Sequence, residues 1–191
     1  MTKKRVFVAI NLPDDVKNEL AAIISKIGDN YNENVRFISR DNWHLTISFL
    51  GEQTDDNISS ANQAIEGTAK KFMPPNIQFE KIIYGPIGKT PRMIWLVASR
   101  RTSDRLGEIK ADLEKGLFEA GINFEQEHRQ YNAHLTLARF SAVGRESLPP
   151  LDIEFDRQFQ PASLVLTESH LKRSGAEYEP LAQFDFEGDS E

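Results

Sequence analysis

A short pattern that occurs twice constrains the fold of this chain more than any other feature. Residues 42–46 read Asn-Trp-His-Leu-Thr and residues 132–136 read Asn-Ala-His-Leu-Thr, so the two histidines lie 134 − 44 = 90 positions apart. At ordinary residue frequencies, a given histidine is followed by Leu-Thr only about once in 200 times. In this chain, two of the four histidines are followed by Leu-Thr. The repeat therefore indicates that the chain consists of two related halves.

Each copy is predicted to be a β-strand, because aliphatic residues alternate with polar residues around the histidine. Alternation places His44, Thr46 and Ser48 on one face of the first strand. In the same way it places His134, Thr136 and Ala138 on one face of the second strand. The opposite face then carries Leu45, Ile47 and Phe49 in the first strand, and Leu135, Leu137 and Arg139 in the second. Each strand thus presents an imidazole beside a hydroxyl, backed by apolar side chains.

Arg139 interrupts the apolar side of the second copy. Strict alternation turns its side chain away from His134. A bulge or a change of twist near the end of the strand would instead return it to the histidine face. The residues by themselves leave both orientations open.

Composition narrows the possible functions. The 191 residues suffice for one sizeable core, or for two small lobes that share a cleft, and the spacing of the repeat favours two lobes. The chain has no cysteine, which excludes disulfides, thiolate nucleophiles and cysteine-ligated metals. A net charge of −6 argues against binding along a long nucleic-acid duplex. Any nucleic-acid ligand is therefore expected to be an RNA end or a small nucleotide.

We expect a soluble, cytoplasmic monomer that does not associate with membranes. The apolar run near the N-terminus is cut short by Pro13, well before it reaches the length of a signal peptide core. No other stretch is long enough to cross a bilayer. The absence of cysteine also fits a reducing compartment.

Strands and helices are predicted to alternate along the rest of the chain. Helical periodicity and capping residues predict three helices, beginning near Pro13, at Thr54 or Asp55, and at Ser103. Besides the two histidine strands, strands are predicted at 4–10, 35–38, 77–85, 93–98, 153–155, 162–171 and 178–186. This order indicates a mixed fold of helices and mostly antiparallel strands, with two similar halves.

The repeated residues suit chemistry at phosphorus. Two imidazoles that face one cleft supply an acid and a base that both function near neutral pH. Phosphodiester cleavage needs such a pair, since one group takes a proton from the attacking oxygen while the other protonates the leaving oxygen. Threonine hydroxyls can bind the non-bridging oxygens, and an arginine can neutralise their charge. Carboxylates at ligand spacing are missing beside the histidines, so we predict a mechanism without a metal or other cofactor.

Several further segments accompany the repeat and give the chain a family resemblance. They are Arg5–Pro13, His44–Gly51, Ile94-Trp95-Leu96, Glu168–Leu171 and Tyr178–Leu181. On these residues the sequence resembles the 2H phosphoesterase superfamily. Within it, the chain is most similar to the RNA 2′,3′-cyclic phosphodiesterases, also called 2′-5′ RNA ligases. The resemblance spans nearly the whole chain.

The resemblance implies an α+β fold. Two pseudo-symmetric lobes of mainly antiparallel sheet, with helices on the outside, are expected to surround a central cleft. Residues 1–191 would form a single bilobal domain with a frayed tail at 187–191. The implied activity is that of a hydrolase in RNA processing, which opens a terminal ribose 2′,3′-cyclic phosphate to a 2′-phosphate.

The resemblance also implies a role for each repeated polar residue. His134 would activate water, and His44 would protonate the departing 3′-oxygen. Thr46, Thr136 and Arg139 would bind the phosphate, which favours the orientation of Arg139 towards the histidines. No metal and no other cofactor are implied.

Two alternatives in function and three minor residues complete the predictions. The cleft would also suit a non-catalytic nucleotide-binding module, or an enzyme that cleaves or joins linear 2′-5′ linkages. His128 and His170 lack the flanking pattern and are expected to be non-catalytic. Phe7 would either stack on a nucleotide base or pack in the core.

Overall fold

Strands and helices alternate along the chain in the predicted order. The protein structure, a computed structural model, describes residues 3–31, 34–127, 129–141, 148–172 and 175–188. The strands are β1 (Lys4–Asn11), β2 (Arg36–Phe37), β3 (His44–Gln53), β4 (Ile77–Gly85), β5 (Met93–Ala98), β6 (His134–Arg139), β7 (Ile153–Phe159), β8 (Ser163–Lys172) and β9 (Gly175–Asp185). The helices are α1 (Asp14–Gly28), α2 (Asp55–Lys71) and α3 (Arg100–Glu119), with a 3-10 turn at Arg40–Asn42. Within these ranges, no helix combines the length and the apolar character needed to cross a membrane.

Two antiparallel sheets form the two lobes, and each sheet carries one histidine strand. The first sheet has the order β3-β1-β8-β9, and the second has the order β2-β6-β5-β4-β7. The unit β1-α1-β3 corresponds to the unit β5-α3-β6, because in both units the histidine strand pairs antiparallel with the strand that precedes the helix. This arrangement confirms the α+β fold with two pseudo-symmetric lobes.

The first helix begins where its sequence provides favourable end groups. Pro13 precedes α1 with a φ of −65°, the value to which its ring restricts it. Asp14 and Asp15 lie in the first turn, where the helix dipole favours negative charge. Val16 and Leu20 are fully buried on one side of this helix, as the predicted periodicity requires.

The third helix begins four residues earlier than predicted. Ser99 is its N-cap, and the Ser99 hydroxyl accepts a hydrogen bond from the backbone N–H of Thr102 at 3.2 Å. The predicted cap, Ser103, lies inside the helix and accepts the backbone N–H of Ala133 at 3.0 Å. Ser103 therefore fixes the residue that immediately precedes His134.

The two related helices are exchanged between the lobes. Helix α1 follows a strand of the first sheet, but Asp15 and Glu19 on α1 form ion pairs with Arg157 of β7 in the second sheet, at 2.6 and 3.3 Å. Conversely, α3 follows a strand of the second sheet, and its Glu114 accepts a hydrogen bond from Ser48 of β3 in the first sheet at 2.9 Å. Helix α1 thus contacts the second sheet, and α3 contacts the first sheet.

One face of each sheet is buried, and the other lines the cleft. Along β5 the two faces are distinguished by alternation: Ile94 and Leu96 are fully buried, whereas Met93, Trp95 and Val97 are half-buried. Burying one such aliphatic side chain contributes about 1.5–3 kcal/mol. The buried face of β5 therefore stabilises the fold, and the half-buried face is left to line the cleft.

The described end of the chain is anchored to α2. The backbone N–H of Glu187 donates to the carbonyl of Ala69, and that of Gly188 donates to the carbonyl of Phe72, each at 3.2 Å. The segment predicted to fray, 187–191, thus starts with two hydrogen-bonded residues, and 189–191 lie outside the described residues. The extent of a single domain over residues 1–191 stays a prediction.

Candidate active site

A bulge in each histidine strand changes which side chains face the cleft. The pairing of β3 with β1 skips Ile47, and the pairing of β6 with β5 skips Leu137. An extra residue in one strand reverses the alternation of side chains beyond it. The two bulges stand at equivalent positions, three residues after each histidine.

The bulge brings Arg139 to the histidine face, as the family resemblance implied and strict alternation did not. The equivalent residue of the first copy is Phe49, five positions after His44, and its side chain is 61% exposed. The predicted faces of Ser48, Phe49 and Ala138 were therefore wrong. Ser48 is only 3% exposed and faces α3, and Ala138 is fully buried.

The same backbone contact orients both imidazoles. Nδ1 of His44 lies 2.8 Å from the carbonyl oxygen of Asn42, and Nδ1 of His134 lies 2.8 Å from the carbonyl oxygen of Asn132. A carbonyl oxygen can only accept, so Nδ1 carries the hydrogen in both rings. Nε2 is consequently the atom of each ring that takes up or releases a proton.

The two predicted threonines lie beside the histidines. Oγ1 of Thr46 is 3.0 Å from Nε2 of His44 and donates to it when the ring is neutral. Thr136 occupies the equivalent position in β6 and is half-buried. The hydroxyl of Tyr131, just before β6, donates to the carbonyl oxygen of Thr46 at 2.6 Å. This hydrogen bond ties the two lobes together next to the site.

Aromatic rings flank both imidazoles. The ring centroid of Phe7 lies 4.8 Å from that of His44, and the ring of Tyr178 contacts His44 edge-on at 5.0 Å. The ring of Trp95 lies 4.0 Å from that of His134. Phe7 is only 3% exposed, so it packs against the histidine and offers little surface to a base. Sequence reasoning assigned no site role to Trp95 or Tyr178.

Burial lowers the pKa of both histidines. Loss of hydration disfavours the charged ring, and the pKa of His44 falls from 6.5 to about 4. The pKa of His134 is also lowered, again mainly by burial. The hydrogen bond from Nδ1 to a backbone carbonyl opposes the shift in each ring, while the positive charge of Arg139 lowers the pKa of both. The guanidinium of Arg139 therefore lies close enough to act on both rings, and both are neutral at pH 7 in the free protein.

The low pKa of His44 makes stability depend on pH. Between pH 6.5 and about 4 the unfolded chain binds a proton at this residue and the native protein does not, so stability falls as the pH drops through this window. The substitution His44→Gln removes this group. It should reduce the stability lost between pH 7 and 4.5 by about 2–3 kcal/mol.

Urea unfolding at the two pH values measures this difference. The exposed His170→Gln substitution is the matched control, since it also removes one histidine. Equal losses in the wild type and in the His44→Gln variant would contradict a neutral, buried imidazole at position 44.

Within the described ranges, one group of three side chains could offer ligands to a metal. Glu168, His170 and Glu179 have ligand atoms within 4.8 Å of one another. Ion-pair contacts account for the grouping, because the His170 ring nitrogens lie 3.6 Å from Glu168 and 3.2 Å from Glu179. The β8-β9 register places these three on the opposite face from Tyr178, which contacts His44. His170 thus lies away from the histidine pair, and His128 lies outside the described residues.

Known proteins resemble this chain in sequence and in structure. The family model described as LigT like Phosphoesterase matches residues 10–95 and 97–181, and each segment contains one histidine strand. The RNA 2′,3′-cyclic phosphodiesterase of Thermotoga maritima is 27% identical over 194 residues, which cover 96% of each chain. A crystal structure of a Thermus thermophilus protein matches with a TM-score of 0.83 and 22% identity, covering 97% of this chain and 100% of that chain.

A structure of Escherichia coli LigT with 3′-AMP has a TM-score of 0.74 and 22% identity, and the match covers 96% of this chain and 98% of that chain. LigT has also been crystallised with ATP, NADP+ and phosphate. At this level of identity the structural matches establish the fold. The family model covers most of the sequence in two segments. The chain therefore belongs to the LigT-like phosphoesterase family, and it is an enzyme of the 2H type that the repeated histidine motif predicted.

Proposed function

We propose that the protein hydrolyses the 2′,3′-cyclic phosphate at the end of an RNA or nucleotide to a 2′-phosphate, without a metal ion. The observation that carries this proposal is the matched pair of imidazoles. In each ring Nδ1 is held by a carbonyl oxygen, which leaves Nε2 for proton transfer. Relatives named RNA 2′,3′-cyclic phosphodiesterase support the choice of substrate.

The two histidines act in one step on opposite sides of the phosphorus. His134 is the general base and takes a proton from water as the water oxygen attacks phosphorus. The bond from phosphorus to O3′ breaks, and His44 gives its proton to O3′. The products are a 3′-hydroxyl and a 2′-phosphate.

Substrate binding sets the protonation state that this step needs. Both rings are neutral in the free protein, so one of them must gain a proton when the cyclic phosphate binds. A negative phosphate beside Nε2 stabilises the imidazolium and raises its pKa. Thr46 and Thr136 donate hydrogen bonds to the non-bridging oxygens. Arg139 neutralises the charge that develops on these oxygens in the transition state.

Phe49 supplies a surface for the nucleotide base. The bulge in β3 turns its ring to the histidine face, and the ring is exposed although it contacts Phe7 at 5.9 Å. Exposed aromatic rings stack on bases with little sequence preference. The two pseudo-symmetric positions thus contact different parts of the substrate: Arg139 lies near the phosphate, and Phe49 lies near the base.

Product analysis tests this function. Incubation with 2′,3′-cyclic AMP in EDTA should yield 2′-AMP at an undiminished rate, because no step requires a metal ion. Chromatography resolves 2′-AMP from 3′-AMP. Formation of 3′-AMP would contradict the departure of O3′, and inhibition by EDTA would contradict the metal-free step.

The same experiment separates the two alternative functions. Thermal stabilisation by the nucleotide without any product would indicate a binding module. Activity restricted to linear 2′-5′ linkages would indicate the other enzyme.

A further inference from the structure

The sheet face that carries His134 continues across two more strands. Trp95 of β5 pairs with Thr136 of β6 on one side and with Ile83 of β4 on the other. Directly paired residues project from the same face of a sheet. Neighbouring strands lie about 4.8 Å apart, so this row leads from the histidine strand to β4 over about 10 Å.

A cavity of about 590 Å³ opens at the far end of this row. It is lined by Lys81 and Ile83 of β4 and by the loop 86–91 that connects β4 with β5. A turn shapes the loop: the N–H of Lys89 donates to the carbonyl of Pro86 at 3.3 Å, and Gly88 has a φ of +72°. A positive φ at the third residue is typical of a type II turn. The volume lies within the range of about 300–1,000 Å³ that small-molecule sites occupy.

The lining of this cavity combines apolar surface with positive charge. Ile87 is 68% exposed and, together with Ile83, provides apolar contact. Lys81 and Lys89 line the same space. The amino group of Lys81 is 3.7 Å from a carboxylate oxygen of exposed Asp152. Such a surface ion pair contributes little to the stability of the protein, so a phosphate can replace Asp152 as the partner of Lys81. Asp152 also lines the cavity, and once a phosphate replaces it at Lys81, two lysines beside apolar side chains suit the phosphate and the nucleoside of a nucleotide.

We propose that this cavity binds the nucleotide on the 5′ side of the cyclic-phosphate ribose. Lys81 and Lys89 contact the phosphate that joins the two nucleotides, and Ile83 and Ile87 contact the base or ribose. Trp95 forms the surface between this cavity and His134. The inference rests on the proposed function and adds to it that RNA ends are preferred over mononucleotides.

The test compares two substrates that differ by one nucleotide. They are 2′,3′-cyclic AMP and the dinucleotide ApA with a 2′,3′-cyclic phosphate. For the wild type, kcat/KM should be about tenfold higher with the dinucleotide. The double variant Lys81→Ala/Lys89→Ala should lose most of this advantage while its kcat/KM with 2′,3′-cyclic AMP stays within about twofold. The salt dependence of dinucleotide hydrolysis should also weaken, because fewer counterions are exchanged on binding.

The matched control is the double variant Lys70→Ala/Lys115→Ala. Like Lys81, both of these lysines form surface ion pairs with carboxylates, on α2 and α3. The control should keep the full advantage of the dinucleotide. Equal kcat/KM for the two substrates in the wild type, or an advantage that survives in Lys81→Ala/Lys89→Ala, would overturn the inference and leave the proposed function intact. No hydrolysis of either substrate by the wild type would overturn the proposed function, and the inference with it.

Discussion

Alanine at either His44 or His134 is expected to lower kcat for 2′,3′-cyclic AMP by about 10²–10⁴-fold, the usual contribution of a general acid or base. Both rings present Nε2 for proton transfer. When either imidazole is removed, water must donate or accept that proton, and it does so much less efficiently. Because the two groups act in one step, the double variant should be little slower than the slower single variant. Initial rates from chromatography of the product measure the effect.

Folding must be checked for the His44 variant in particular, since this ring packs between Phe7 and Tyr178. His44→Gln keeps more of the side-chain volume and should be about as inactive as His44→Ala. The control is His170→Ala, which removes an exposed histidine and should change kcat by less than twofold. A folded His44→Gln or His134→Ala variant that retains a tenth or more of the wild-type rate would remove that residue from proton transfer.

The second large effect is expected from Arg139→Gln, which should lower kcat/KM by about 10²–10³-fold. A positive group aimed at the charge that develops in a transition state contributes an effect of this size. Lysine at the same position should restore only part of the activity, because its amino group cannot bind two phosphate oxygens in the planar geometry of a guanidinium. Steady-state kinetics of the three proteins measures the series.

The pH profile provides a second readout for Arg139. The positive charge of Arg139 lowers the pKa of both histidines, so its removal should raise both and move the bell-shaped profile of kcat/KM to higher pH. The two apparent pKa values belong to the histidine pair jointly. Arg157→Gln is the control: it removes an arginine from the outer face, where it pairs with α1, and should leave the profile unchanged. An unshifted profile in Arg139→Gln would contradict the proximity of this guanidinium to the imidazoles.

The repeat was sufficient to predict two strands, two lobes and the position of each histidine. Alternation with period two is a local property, so it is visible in the residues themselves. The bulges at Ile47 and Leu137 were not predictable in this way, because an extra apolar residue in an apolar strand cannot be distinguished from a regular residue of that strand. A bulge is defined by the partner strand. Phe49 and Arg139 each lie five residues after a histidine and are therefore equivalent positions, so the orientation of one predicts the orientation of the other.

Two other features depend on residues that are distant in the chain. Burial of His44 comes partly from Phe7 and Tyr178, which lie in strands far from it in sequence. Its low pKa is therefore not predictable from the motif, which by itself predicts the ordinary histidine value near 6.5. The start of α3 at Ser99, four residues before Ser103, is a smaller example. Both serines precede the apolar periodicity, and they differ in the N–H that each hydroxyl accepts, which is that of Thr102 for Ser99 and that of Ala133 for Ser103.

The exchange of α1 and α3 between the lobes has a consequence for how this protein unfolds. Each of these helices follows a strand of one sheet and contacts the other sheet, so separating the lobes would break contacts of both helices at once. We therefore expect the two lobes to unfold together in a single cooperative transition, not one after the other.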